Sequence, residues 1–429
     1  MEKAFINTEN FQCNLSFHPK LTIMDQLKIP RQRIQSIDIL RGLVMVIMAL
    51  DHVRDFFYKA DLGKAADAAL DPTNMQTTYP ALFFTRWITH FCAPIFVFLA
   101  GTSVYLMCQR KSKKEVSLFL IKRGLWLVFV ELIIITFAWS FNPFFDLFIM
   151  QVIWAIGVSM ILMGLLVLLP YEIILVIGLL IVFGHNYFMN LALVKEKLTR
   201  TLIGDMLYYS NFSIYKLWDN HFFLIVYAFL PWTGVMLLGY CFGKLYQSNF
   251  DPLRRRKLLL TIGTSLVILF IVLRYTNVYG DPVPWTSQPR GSVYTFLSFL
   301  NLNKYPPSLL FLCMTIGPGI LFLALIEKVQ NGFTKVMNVY GRVPMLYYIL
   351  HFYIIHILLV VTFYVQGYGS KDIVPTGLPF YFKPNGIGFG LLGVYAIWIF
   401  VVVVLYPICK KYDRYKTAHI QEKPWLSYL

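Results

Sequence analysis

The sequence predicts an all-α, polytopic integral membrane protein of about ten transmembrane helices with both termini cytoplasmic. Three observations predict it. The 429 residues are 58% hydrophobic and only 14% charged, an apolar share above that of soluble domains. Apolar runs recur at the length a helix needs to cross a hydrocarbon core. Basic residues cluster in short connections at alternate ends of those runs, the pattern that sets orientation. A bilayer forces backbone groups to pair internally, and no run shows the short alternating pattern of a barrel strand, so the spans read as helices.

The first span, 36–58, contains RGLVMVIMALDH and carries Arg41 and His52. The second, 86–108, opens RWITHFCAPIFVFLAG, with Arg86 and His90 near its start. The third, 119–141, has Glu131 near its middle, where a carboxylate must take a proton or find a cation, so a basic partner inside the bundle is expected. Runs at 147–169 and 172–189 follow, the second of these the more weakly marked. The sixth, 221–243, contains Pro231-Trp232, and the eighth, 306–326, contains Gly317-Pro318-Gly319; both read as bends. Between them lies 257–274. The ninth, 343–366, holds His351 and His356, five positions apart and therefore on different faces; one of them, assigned as His351, is expected to line a cavity and the other to pack. The tenth is 386–409.

The net charge of +16 fits this orientation rather than a nucleic-acid partner. Lys28, Arg31 and Arg33 precede span one; Arg110, Lys111, Lys113, Lys114, Lys122 and Arg123 join spans two and three; Arg254, Arg255, Arg256 and Lys257 join six and seven; Lys410, Lys411, Arg414 and Lys416 follow ten. The loops 59–85, 190–220, 275–305 and 367–385 are poorer in basic charge and are expected to face outward. The domain reading is a cytoplasmic tail at 1–35, one transmembrane domain at 36–409 and a second tail at 410–429. The N-terminal stretch is too polar for a cleavable signal, so span one is expected to direct insertion into the cell inner membrane. Cys13, Cys92, Cys108, Cys241, Cys313 and Cys409 show neither pairing nor metal-ligand spacing, and neither disulfides nor a metal is expected.

Ionisable groups inside spans are costly and point to function. Eleven helical steps separate Arg41 from His52, about three turns, so both project from one face roughly 16 Å apart. Asp38, three residues earlier, is the expected partner of Arg41. Arg86 and His90 share a face at i, i+4 spacing, and His90 is expected at a depth similar to His52. Asp55 is placed to accept from the His52 ring and hold its tautomer, as a second carboxylate does for a general base. A buried histidine can equally tie two helices together; the company of Arg41, Asp55, Arg86 and His90 favours chemistry.

The segments SIDILRGLVMVIMALDHVRDFF, FFTRWITHFCAPIFVFLAGTS, YAFLPWTGVMLLGY, NKYPPSLLFLCMTIGP, YGRVPMLYYILHFYIIH and LYPICKKYDRYKTAHIQEKPWLSYL, in that order, resemble the bacterial membrane family related to heparan-alpha-glucosaminide N-acetyltransferase. That family falls in a wider group of transmembrane acyltransferases, whose first-helix arginine and histidine with ten residues between them are similar to Arg41 and His52. The resemblance implies transfer of an acetyl or other acyl group from cytoplasmic acyl-CoA to a sugar or glycan acceptor at the outer side. His52 and Asp55 would be catalytic, Arg41 would bind the donor, Arg86 and His90 the acceptor, and Glu131 and His351 would line the cavity. The name-giving enzyme of the family resembles this chain with Asn at the place of His52 and Asp at that of His90, and carries its histidine in the following loop. Here loop 59–85 contains no His, so the heparan substrate does not carry over. Expected partners are acetyl-CoA or another acyl-CoA, the glycan acceptor and membrane lipid, with a homodimer left open. The alternative reading is a secondary transporter of a small anionic or sugar-like solute, with the same buried charges lining its path.

Overall fold

The computed structural model describes residues 34–59, 71–190, 201–210, 212–374 and 380–428. The chain divides into Met1–Ile34 and Gln35–Leu429, and the architecture below is that of the second unit. The tail expected at 1–35, with Cys13, Lys28, Arg31 and Arg33, lies outside the described residues as far as residue 33.

The described chain is mostly helical. Twelve helices frame it: α1 (Gln35–Phe57), α2 (Pro80–Cys108), α3 (113–140), α4 (Val152–Leu166), α5 (Tyr171–Asn190), α6 (Phe229–Phe242), α7 (Pro252–Thr276), α8 (Ser292–Leu300), α9 (Leu309–Ile326), α10 (Gly332–Arg342), α11 (Pro344–Val365) and α12 (Leu391–His419). Five are long and apolar enough to cross a membrane among the described residues: α2, α7, α9, α11 and α12. Helix α1 stands apart from those five because Asp38, Arg41, Asp51, Arg54 and Asp55 lie along it. The helix α12 continues ten residues past position 409, so the start of the expected C-terminal tail is helical.

The all-α expectation needs one correction. Leu147–Met150, Ser213–Trp218 and His221–Ile225 form strands β1, β2 and β3 of a small sheet, ordered β1-β3-β2, with β1 parallel and β2 antiparallel to β3. The apolar runs at 147–169 and 221–243 thus open as strands and turn helical only at Val152 and Phe229. LFIM and HFFLI are short, branched and aromatic, and each satisfies its backbone by pairing with the other.

Helix α3 begins at a capping box in which Ser112 and Glu115 satisfy each other's backbone groups. It passes through a π-helical turn at Val130–Ile135, resumes at Thr136 and stops after Ser140, where Phe141 adopts φ +45°. Helix α1 is the hub, packed against α10, α11, α12 and α2. Its tightest crossing is with α10: a Cβ on Gly42 would lie 1.8 Å from the Met337 carbonyl, and one on Gly341 1.8 Å from that of Asp38. Only hydrogen at both positions lets the two backbones touch.

Candidate active site

The candidate side chains of α1 divide between its ends. Near its start, Arg41 pairs with Asp38 at 2.9 Å and donates to Ser103 Oγ on α2 at 3.1 Å and to the Gly341 carbonyl of α10 at 3.3 Å. A guanidinium carries five N–H donors, so two are left without a partner among the described residues. Arg123 of α3 donates to the Ser427 carbonyl of the C-terminal segment.

His52 lies near the other end, 8% exposed, with its Nδ1 2.7 Å from Nε2 of His351 on α11. The second His351 nitrogen, Nδ1, is 3.1 Å from the Tyr347 carbonyl. A carbonyl only accepts, so Nδ1 of His351 carries the proton and its Nε2, in the neutral ring, presents a lone pair. His52 must then donate from Nδ1, which leaves the lone pair of neutral His52 on Nε2. That nitrogen has no hydrogen-bond partner among the described residues. The ring is packed by Phe352, with centroids 4.2 Å apart, and met edge-on by Trp139 at 5.6 Å and Tyr348 at 6.4 Å.

This geometry corrects the role expected of Asp55. Its carboxylate pairs with Arg54 at 2.5 Å, and the ring nitrogen of His52 that donates, Nδ1, meets His351 instead. The i, i+3 spacing brought Asp55 to the right region of α1, but its adjacent guanidinium competes for the carboxylate more strongly than a neutral ring can. The partner of His52 comes instead from 299 residues further along the chain.

Arg86 is drawn inward by Asp51, which it shares with Arg54; the Arg54–Asp51 bond measures 2.9 Å. Arg86 also donates to the Tyr305 hydroxyl at 3.3 Å. Lys304, 8% exposed, sits 5.1 Å from the Tyr305 ring centroid and 6.0 Å from that of Tyr227. Burial pushes the Tyr305 phenol up, but Lys304 and Arg86 outweigh it and the net shift is down. A 3₁₀ turn at Ile88–Phe91 interrupts α2 and carries His90. His90 is buried against Phe311, centroids 5.3 Å apart, with Nδ1 unpartnered, and no hydrogen bond or ring contact joins it to His52 among the described residues.

Glu131 likewise departs from expectation. Its Oε2 accepts from the Trp154 amide at 3.1 Å, and the Gln151 and Ile153 amides face it, so the carboxylate caps the start of α4. Unpaired N–H groups at a helix start supply the positive field expected of a basic side chain. Its Oε1 is unpartnered. His356 is a tie between segments: Nδ1 is 2.8 Å from the Ala138 carbonyl, Nε2 is 3.2 Å from that of Tyr381, and Phe141 stacks on the ring at 3.7 Å. Sequence reasoning missed Asp51, Arg54, Lys304 and Tyr305. The signal for the first two was visible as LDHVRD, four charged or titratable groups closing an apolar helix. Among the described residues no group of three His, Cys, Asp or Glu is arranged for a metal ion.

A family model described as "Heparan-alpha-glucosaminide N-acetyltransferase, catalytic" matches residues 33–274. The match takes in Arg41, His52, Asp51, Arg86, His90 and Glu131; Lys304, Tyr305 and His351 lie beyond it. No curated protein matches the chain.

Proposed function

This chain belongs to the heparan-alpha-glucosaminide N-acetyltransferase catalytic family, and from that premise we propose that it carries an acetyl group from cytoplasmic acetyl-CoA to an amine or hydroxyl of a sugar on the far side of the membrane. The proposed topology has ten spans and both termini in the cytoplasm, with Arg41 toward the inner mouth and His52 deeper. The clustering of Lys and Arg in alternate connections supports that orientation.

One observation carries the reading: the chain of hydrogen bonds from the Tyr347 carbonyl through His351 to His52 leaves the His52 Nε2 lone pair uncommitted. A general base needs such a nitrogen within reach of the proton it removes. In the proposed reaction His52 Nε2 takes the proton of the acceptor N–H or O–H as that atom attacks the thioester carbonyl. The carbon–sulfur bond breaks, and the proton passes from His52 to the leaving sulfur, giving the CoA thiol and the acetylated acceptor. His351 positions the base. Arg41, with donors to spare, is proposed to hold a CoA phosphate; about 16 Å of helix separates it from His52, close to the reach of an extended pantetheine arm. Arg86, His90, Lys304 and Tyr305 are proposed to line the acceptor side.

Purified protein in lipid nanodiscs, given radiolabelled acetyl-CoA and an amino sugar, tests this. Wild type is expected to transfer label, and His52→Ala to lose transfer while still binding acetyl-CoA. Full transfer by His52→Ala ends the proposal, as does solute uptake into vesicles without any acyl donor.

A further inference from the structure

Burying a hydrogen-bond donor without a partner is unfavourable, and such groups in a well-packed site call for an explanation. Two of them meet the His52 ring edge-on. The indole Nε1–H of Trp139, near the end of α3, and the hydroxyl of Tyr348, on α11, have no hydrogen-bond partner among the described residues. Both side chains are buried, Trp139 at 8% exposure and Tyr348 at 3%. Glu131 does not take up the Tyr348 hydroxyl: its Oε2 accepts from the Trp154 amide, and its Oε1 is unpartnered. Neither donor is needed to hold the packing, because Trp139 is kept in place by ring contacts with Phe56 at 5.2 Å and Phe352 at 4.9 Å, and Tyr348 by Phe352 at 5.3 Å and His351 at 5.5 Å.

We infer that the Tyr348 hydroxyl and the Trp139 indole N–H are the donors that stabilise the oxyanion formed when the acceptor attacks the acetyl thioester. The inference rests on the reading of His52 as the base. As the new carbon–nitrogen or carbon–oxygen bond forms, the carbonyl π electrons move onto oxygen. The acceptor proton moves to His52 Nε2. When the carbonyl re-forms, the carbon–sulfur bond breaks and the leaving sulfur takes that proton from His52. The carbonyl oxygen is therefore negative only between those events, and donors left unpaired in the resting protein gain a partner at that moment. Such donors act on the transition state without reorganising, in surroundings with little water to weaken them. Two rigid aromatic carriers, wedged by rings on either side, suit that task better than flexible polar chains. Two other orphan donors serve as contrasts: Trp126 on α3, stacked on Phe129 at 5.6 Å, and Trp285 in the loop after α7. Neither touches the His52 ring.

The test compares wild type with Tyr348→Phe, Trp139→Phe and Trp126→Phe, each in nanodiscs, by steady-state transfer from acetyl-CoA, equilibrium acetyl-CoA binding and thermal melting. Tyr348→Phe removes one oxygen and a bond the resting protein does not make, so melting is expected to stay at the wild-type temperature or rise, with acetyl-CoA affinity unchanged. Its kcat is expected to fall about 10²- to 10³-fold, the usual effect of deleting one oxyanion donor. Trp139→Phe is expected to lose kcat similarly, and Trp126→Phe to keep it. Turnover within threefold of wild type in both Tyr348→Phe and Trp139→Phe overturns the inference, and so does a loss of turnover that tracks lowered melting or lost acetyl-CoA binding. Wild type that neither binds nor consumes acetyl-CoA overturns instead the reading beneath it, and this inference with it.

Discussion

Replacing His351 by leucine puts the tautomer argument at greatest risk. His52 Nδ1 then loses the acceptor 2.7 Å away, and the rings of Phe352, Trp139 and Tyr348 offer no substitute. If the proton stays on Nδ1, a buried unpaired N–H costs about 1–3 kcal/mol. If it moves to Nε2, the base is gone. Either route disfavours the productive tautomer by about that amount, and at roughly 1.4 kcal/mol per decade acyl transfer slows about 5- to 140-fold. His351→Gln returns a side-chain oxygen able to accept from Nδ1 and is expected to recover a large part of the loss, which a merely packing role would not produce. Single-turnover transfer of radiolabelled acetyl in nanodiscs reads the chemical step, with acetyl-CoA binding measured alongside and expected to stay at the wild-type value. A leucine variant within twofold of wild type refutes the reasoning, and equal losses in the leucine and glutamine variants refute the positioning role.

Arg41→Ala is expected to weaken acetyl-CoA binding about 10- to 150-fold, from the roughly 1.5–3 kcal/mol of a hydrogen bond to a charged group, while transfer at saturating donor changes little; isothermal titration and kcat separate the two. Asp51→Ala leaves Arg54 and Arg86 without the carboxylate they share, and removing one partner of such a buried set destabilises by about 3–5 kcal/mol. Thermal melting checks this, and Asp51→Asn, which keeps an accepting oxygen, is expected to melt above the alanine variant. Gly42→Ala puts a methyl 1.8 Å from the Met337 carbonyl, and separating the two backbones is expected to cost about 1–3 kcal/mol and to weaken acetyl-CoA binding through the displaced Gly341 carbonyl.

What the sequence made legible follows one rule: contacts within a helix can be read from spacing, and contacts between segments cannot. Arg41 and Asp38 stand three apart on α1, and they pair. His52 and His351 stand 299 apart, and nothing in either local pattern announces the bond. The Asp55 reading failed for the same reason. Its spacing from His52 was right, but Arg54 lies beside it and His351 arrives from α11. Glu131 was legible as a buried carboxylate in need of positive charge, yet the α4 start that supplies it is a matter of tertiary packing. The small sheet was hidden because LFIM and HFFLI each continue into a helix, so hydropathy reads straight through the junction.

The arrangement of α1 against α10 and α11 ties the two ends of the proposed site together. Arg41 reaches the Gly341 carbonyl near the end of α10, which runs against α1 with Met337 beside Gly42 and Gly341 beside Asp38, and His52 reaches His351 on α11. The eleven steps from Arg41 to His52 lie on the single helix α1, which at 1.5 Å per residue sets their axial separation at roughly 16 Å. The backbone contact between Gly42 and Gly341 fixes α10 against α1 at the Arg41 end, where a side chain on either residue would force the helices apart. Because both groups stand on α1, the spacing of their backbone positions belongs to the scaffold. A donor that satisfies both groups must carry its anionic handle and its reactive carbonyl about that far apart. Acyl-CoA has that form; a short activated acyl group such as acetyl phosphate can meet Arg41 or His52 but cannot meet both.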